Sequence, residues 1–355
     1  MTASGRSRRE WRTILIISVV SAIISPCFAY FNRSANDSPW HAMLEGVATS
    51  IVIATPLLLF ELKGARVGAI RQLRRLPIAV YLALRVLIYV VVIVGSLLLM
   101  RFVFTPDLDY LGRFDVLFRR SLMFSIGMAV MANLVLTMGG LLGFGTLVNL
   151  LTGRYVQPKS EKRVFLLIDL RDSTGMAERL GPVRFHELLN DFFRDVTEAA
   201  LECDGEIHKY VGDEAILTWS VGKGNGGDVV ASGACLECPF IARANIEKNR
   251  QAYLAKYGAV PTFRAAIHAG EIVAGEIGDV RREIAYVGDT LNVAARLLEA
   301  AKTLGRDVLA SADILERAKL PAGLIAEKLP MLSIRGREAP LAVAALAPVD
   351  SQGRS

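Results

Sequence analysis

Charge is scarce in this chain. Of 355 residues only 21% are Asp, Glu, Lys or Arg, while 52% are hydrophobic. A soluble domain carries about 25% charged and about 45–50% apolar residues. Such a composition excludes a disordered or fibrous polypeptide and points to a membrane. Cysteine is scarce too: one of the four lies in an apolar run and three in the C-terminal half. That excludes a disulfide-built scaffold and predicts no disulfide. Cys235-x-x-Cys238 has no second pair and reads as packing rather than a metal or redox site. Histidine is equally rare, with four in all. His41 alone lies near an apolar run, and one imidazole cannot supply both axial ligands of a buried haem. His186, His208 and His268 read as packing or surface residues. No G-x-x-x-x-G-K-[ST] sequence occurs, so the glycine-rich loop 222–228 is no P-loop.

Four long apolar runs are present, at 13–31, 43–60, 76–100 and 121–151. A helix needs about 20 apolar residues to cross a bilayer core. The fourth run is too long for one span. Its GGLLGFG interruption at 139–145 predicts that the last turns leave the membrane as a connecting helix. The first run exceeds a signal-peptide core of about 7–15 residues and no A-x-A-like site follows it, so it reads as a retained span.

Residues 1–159 hold 17 Lys/Arg against 7 Asp/Glu; residues 160–355 hold 24 against 28. The basic clusters are Arg6, Arg8, Arg9 and Arg12; then Lys63, Arg66, Arg71, Arg74 and Arg75; then Arg154, Lys159, Lys162 and Arg163. They flank the apolar runs, so they read as membrane topology rather than nucleic-acid binding. The positive-inside rule predicts a multi-pass protein of the cytoplasmic membrane, with both termini in the cytosol. Arg85 reads as an interfacial charge whose stem snorkels outward from the third run, and Glu45 as an interfacial charge near the outer edge of the second, with a sensing or pairing role as the alternative for each. The expected domains are a basic N-terminus (1–12), a four-helix transmembrane domain (13–151), a linker (152–162), a second domain (163–349) and a flexible tail (350–355).

The second domain reads as α+β. Residues 164–170 form a buried strand. A helix opens at Gly181-Pro182 and runs to Cys203 on one apolar face. Residues 207–219 form a hairpin around Gly212-Asp213. A helix extends to about Tyr257. Residues 262–278 read as two strands meeting at Ala269-Gly270. A strand at 283–288 and a helix at 290–305 follow. The strand 308–311, a short helix, and the stretches 325–330, 332–335 and 341–347 complete the domain.

Two carboxylates stand at strand ends: Asp169 closes the first strand and Asp213 sits in the hairpin turn. Paired carboxylates so placed can hold Mg²⁺ beside a nucleoside triphosphate, whose phosphates complete the ligand set. Asp172, Ser173 and Thr174 follow Asp169 and lead into a helix, where backbone N–H groups favour phosphate. Lys209 lies four residues before Asp213. Asn292 and Arg296 are spaced i, i+4 and share a helix face.

The ordered segments FLLIDLRDST, KYVGDEAIL, HAGEIVAGEIG and YVGDTLNVAARL resemble the catalytic domain of class III nucleotide cyclases, the adenylyl and guanylyl cyclases, over residues 163–347. With four spans ahead of it, the chain is similar to bacterial membrane-bound adenylyl cyclases. The resemblance implies a ferredoxin-like βαββαβ core and a homodimer, with the metal carboxylates from one chain and the base- and transition-state residues from the other. It implies two Mg²⁺ or Mn²⁺ ions on Asp169, Asp213 and the Leu170 carbonyl, Arg296 on the α-phosphate, Asn292 on the ribose, Lys209 on the purine and Arg335 on the terminal phosphates. The implied reaction is ATP to cyclic AMP and pyrophosphate. Ala285 departs from the pattern, because adenylyl cyclases place Asp or Thr there to accept the adenine amino hydrogen. Guanylyl cyclases place Glu where Lys209 stands, so ATP is favoured over GTP. The alternatives are a guanylate cyclase and a catalytically silent nucleotide-binding module. The complete set of Asp169, Lys209, Asp213, Asn292 and Arg296 argues against silence. The Gly226-Gly227-Asp228-Val229 stretch lies in a loop rather than a strand turn, which excludes a diguanylate cyclase.

Overall fold

The structure of the chain is a computed structural model that describes residues 5–33, 38–63, 78–104, 115–222, 230–280, 282–333 and 339–349. Most of the glycine-rich loop, the Gly226–Val229 stretch within it, Arg335 and the tail 350–355 lie outside the described residues. The chain divides into two compact units, Ser7–Leu142 and the residues from Gly143 onward.

The first unit is helical: α1 (Gly5–Asn32), α2 (Pro39–Lys63), α3 (Ile78–Phe104) and α4 (Val116–Leu142). Each holds a stretch long and apolar enough to cross a membrane, at Thr13–Asn32, Pro39–Glu61, Ala83–Phe104 and Val116–Gly140. Large apolar side chains such as Leu15, Ile23, Val91 and Met123 face outward, while Ile53, Leu57, Ile93, Leu97 and Phe118 pack inside. The snorkelling expected of Arg85 is replaced by pairing. Its Nε donates to Glu61 Oε1 at 2.7 Å and its Nη2 to Oε2. The Tyr89 hydroxyl donates to the same carboxylate, and Asn133 Nδ2 donates to Tyr89 at 2.8 Å. A charge withdrawn from water is costly unless paired, so the bidentate partner holds Arg85 inward and ties α2, α3 and α4 together. Glu45, with Glu61, Tyr89 and Asn133, lines a cavity of about 630 Å³ between the helices.

The fourth apolar run breaks at Gly143, whose φ of 84° is open to glycine, and α5 (Phe144–Leu151) follows in the second unit. Next come β1 (Lys159–Leu170), α6 (Ser173–Glu202), β2 (Glu206–Val211), β3 (Glu214–Ser220), α7 (Ala234–Lys248), α8 (Arg250–Tyr257), β4 (Phe263–Ile277), β5 (Glu283–Val287), α9 (Asp289–Thr303), β6 (Val308–Ser311), α10 (Ala312–Leu315), β7 (Leu324–Lys328) and β8 (Val343–Pro348). The sheet order is β2-β3-β1-β4-β6-β8-β7, with β5 paired to β4. Among the described residues, only the β4–β6 pair is parallel. The order β1–α6–β2–β3–α7–β4 gives the expected βαββαβ core.

β1 lies inside the sheet and is buried on both faces, which explains its unbroken apolar run. Val164, Leu166 and Ile168 pack toward α6, α7 and α8; Phe165 and Leu167 pack toward α9. Four local expectations change. The helix before Cys203 starts at Ser173, and Gly181 (φ 74°) kinks it rather than opening it. The helix to Tyr257 is two, split at Asn249. β4 passes unbroken through Ala269-Gly270, because Gly270 makes room for α9: a Cβ there would lie 2.5 Å from Thr290 Oγ1. The stretch 332–335 contributes one bridge, Leu332 to Leu341, within the described residues.

The linker segment is partly built into the sheet. Lys159–Lys162 pair with Glu271–Ala274 of β4. Tyr155 is buried at 1% exposure, and its carbonyl accepts from Glu276 N. Arg163, 3% exposed, donates from Nε to Glu161 Oε1 at 2.5 Å and lies 4.6 Å from the Tyr286 ring centroid. Removing one member of a buried pair leaves the other charge uncompensated. Arg163→Leu is therefore expected to cost about 3 kcal/mol, lowering Tm by roughly 6–12 °C in a thermal melt of the detergent-solubilised chain. A melt unchanged within about 2 °C would mean that Tyr155 and Arg154, which also contact the Glu161 carboxylate, suffice to hold its charge.

Candidate active site

Register brings the first group together. Asp169 stands opposite Glu214 of β3 and Arg264 of β4. Opposed residues in antiparallel strands share a face, so all three side chains leave the sheet on the α9 side. Asp213 occupies the two-residue β2–β3 turn with Gly212, whose φ is 62°. The Leu170 N–H donates to the Asp213 carbonyl at 3.4 Å and fastens that turn to the end of β1. Three carboxylates thus crowd one strand end. Burial, with the charges of Asp169 and Asp213, pushes the Glu214 carboxyl up to about 7. Burial and then the Asp213 charge raise Asp169 above the usual carboxylate range, against the pull of Arg264 and Lys302. The pattern of residues did not single out Glu214. Its place depends on which strand lies beside β1, and the only local signal is its position next to Asp213.

Among the described residues, no three His, Cys, Asp or Glu side chains converge to hold a metal unaided. The donor set fits a divalent ion all the same. Hard cations take carboxylate and carbonyl oxygens and leave positions for phosphate. Mutually repelling carboxylates raised in pKa are what such an ion would relieve.

The segment beyond Asp169 turns at once. Asp172 takes a left-handed backbone (φ 53°) and stands at the N-cap of α6. Its carboxylate pairs with Arg179 at 2.9 Å rather than capping the helix. Ser173 and Thr174 form the first turn, whose N–H groups have no partner within a helix.

The second group sits on α9. Asn292 and Arg296 line an open cleft of about 620 Å³ with Glu299, Thr303, Leu332 and Ser333. Asp169, Asp213 and Lys209 are not in that lining. Lys209 stands exposed on β2, its Nζ 3.7 Å from Glu283 Oε1 of β5. Glu283 and Ala285 are two residues apart on β5 and share a face. Glu283 also escaped the sequence reading, because its neighbour is set by strand placement. His208, beside Lys209, packs on Tyr286 with ring centroids 4.5 Å apart. Burial, with the charges of Lys209 and Arg163, pushes it down to about 4, so it stays neutral.

No protein-family model matches the chain. Adenylate cyclase 2 of Rhizobium meliloti (strain 1021) is 43% identical over 212 residues, covering 60% of this chain and 57% of that protein. Over that stretch the chain is similar to a protein named adenylate cyclase. A cyclase from Anabaena cylindrica, named adenylate cyclase, is 27% identical over 165 residues, or 46% of this chain and 32% of that one. The crystal structure of the adenylyl cyclase CyaB from P. aeruginosa aligns over 54% of this chain and 96% of its own, with 21% identity and a TM-score of 0.47. The chain thus spans just over half the first curated relative and about a third of the second.

Proposed function

We propose that this protein is a membrane-anchored adenylate cyclase that converts ATP to 3′,5′-cyclic AMP and pyrophosphate at a homodimer interface. The carboxylate crowd at the ends of β1 and β3, in a chain related to a protein named adenylate cyclase, carries the reading. The ribose 3′-hydroxyl attacks the α-phosphorus, the bond to the β-phosphate bridging oxygen breaks, and pyrophosphate leaves. Two Mg²⁺ or Mn²⁺ ions on Asp169, Asp213 and the Leu170 carbonyl would supply Lewis-acid charge at the hydroxyl and the phosphates. Arg296 meets the charge growing on the α-phosphate, and Asn292 orients the ribose. Lys209 donates to adenine N1. Arg335 and the N–H groups at Asp172, Ser173 and Thr174 serve the phosphates.

Two observations favour a dimer. Asn292 and Arg296 line a cleft whose lining does not include Asp169 or Asp213. Apolar side chains also stay uncovered along β2, β4 and β5: Tyr210, Val211, Val273, Ile277 and Val287 are all exposed. A second copy laid on that surface would cover them and bring the two groups together. The catalytic domain takes the cytosolic side, where ATP is available, and the linker 152–162 joins it to the spans.

The test is the purified full-length chain with Mn²⁺ and either ATP or GTP, resolving cyclic products and pyrophosphate. Cyclic AMP in excess is expected; nucleotide binding without pyrophosphate release would establish the silent module instead. A pH series adds a check. Raised carboxyls hold protons that metal must displace, so half-saturating Mn²⁺ should be higher at pH 6 than at pH 8. Stability runs the other way. A carboxyl raised in the folded state binds more protons there than when unfolded, so between about 4 and 7 stability falls as pH rises. Mn²⁺ should therefore raise Tm more at pH 8 than at pH 6. Equal shifts at both would remove the metal from this carboxylate group.

A further inference from the structure

We propose that Glu283 is the carboxylate of the base pocket, doing for this chain what Ala285 cannot; the inference rests on the ATP reading above. An adenine edge presents an acceptor at N1 and a donor at the 6-amino group. Recognition of both needs a donor and an acceptor held side by side. Lys209 is the donor. Ala285 offers no polar atom, and Gly275, opposite it in the sheet, adds no side chain. The carboxylate that does stand beside Lys209 is Glu283, at 3.7 Å.

The pair is open to a ligand, with the two side chains 52% and 47% exposed. β5 alternation puts Glu283 on the Ala285 face, about 7 Å along the strand. A glutamate is one methylene longer than an aspartate, which shortens that offset at the carboxylate. The remaining neighbours leave the pairing intact. His208 is neutral and turned onto Tyr286. Arg282 is engaged with Glu276.

Glu283 acts in two ways. Its charge restrains the flexible lysine stem, which alone could swing from adenine N1 to guanine O6. Its oxygens accept from the adenine amino group, while guanine places O6 there and meets repulsion. A site built to hydrogen-bond a group disfavours the analogue lacking it, because the bound base shields polar atoms that are then left unpaired.

The experiment uses the full-length protein in detergent with Mn²⁺, measuring kcat and KM for ATP and GTP. In E283Q the ATP-over-GTP ratio of kcat/KM should fall about tenfold, mainly through KM for ATP. Because Glu283 is exposed, that variant keeps its fold, checked by an unchanged melt. The double variant E283Q/A285D returns a carboxylate to the same face and should bring the ratio back to within about threefold of the parent. If the parent makes cyclic AMP and E283Q leaves the ratio within about twofold, Glu283 is no part of the base pocket and the cyclase reading survives. A parent that makes no cyclic nucleotide overturns both readings.

Discussion

Asp169→Ala and Asp213→Ala chains are expected to make at least ~10³-fold less cyclic AMP than the parent while remaining folded and inserted. The reason lies in what the carboxylates cost when no ion is present. Asp169 and Glu214 are both raised by burial and by neighbouring acids. Nothing in the folding of the domain calls for that repulsion, so deleting one carboxylate relieves it. The metal-free variants should melt at or above the parent temperature, most clearly at pH 8, above the raised Glu214 value of about 7. Activity and stability thus move in opposite directions, which separates a ligand role from a structural one. Retention of more than a few per cent of the parent activity in either variant would refute the metal assignment.

Mixing two dead chains should restore activity. An Asp213→Ala chain and an Arg296→Ala chain each form homodimers in which both sites are broken. In a heterodimer one site takes Arg296 from the first chain and Asp213 from the second, and is whole; the other carries both lesions. Random pairing makes about half of the dimers mixed, each with one working site of two, so about a quarter of parental activity should return. The expectation rests on the proposed homodimer, in which Arg296 lines a cleft that Asp169 and Asp213 do not line. Heterodimers proven by differential tags yet as inactive as their parents would place a complete site in each chain.

Much of this was legible locally. Apolar runs long enough to cross a bilayer need no partner to be recognised, and all four became helices with qualifying spans. The break within Gly139–Gly145 was readable because a glycine there can leave the helical region. The β1 strand and the Gly212-Asp213 turn were readable from an apolar run and a turn pair. Gly181 and Gly270 misled for one physical reason. A glycine marks permission, and whether a chain uses it to stop, to kink or to admit a neighbour depends on what lies beside it. Gly181 kinks α6, and Gly270 admits Thr290 of α9 without interrupting β4.

The sequence by itself determined the two-part architecture, the strand-end carboxylates and the i, i+4 pair on α9, because each follows from hydropathy, turn chemistry or helical period over a few residues. Only the tertiary structure decided that Arg85 binds Glu61, that Glu214 faces Asp169, that Glu283 meets Lys209, and that the linker runs into β1. Those contacts join residues from 24 to 115 positions apart, counted from Glu61 to Arg85 and from Lys159 to Ala274. Charge pairing at such separations is set by strand order and helix packing, which no local period encodes.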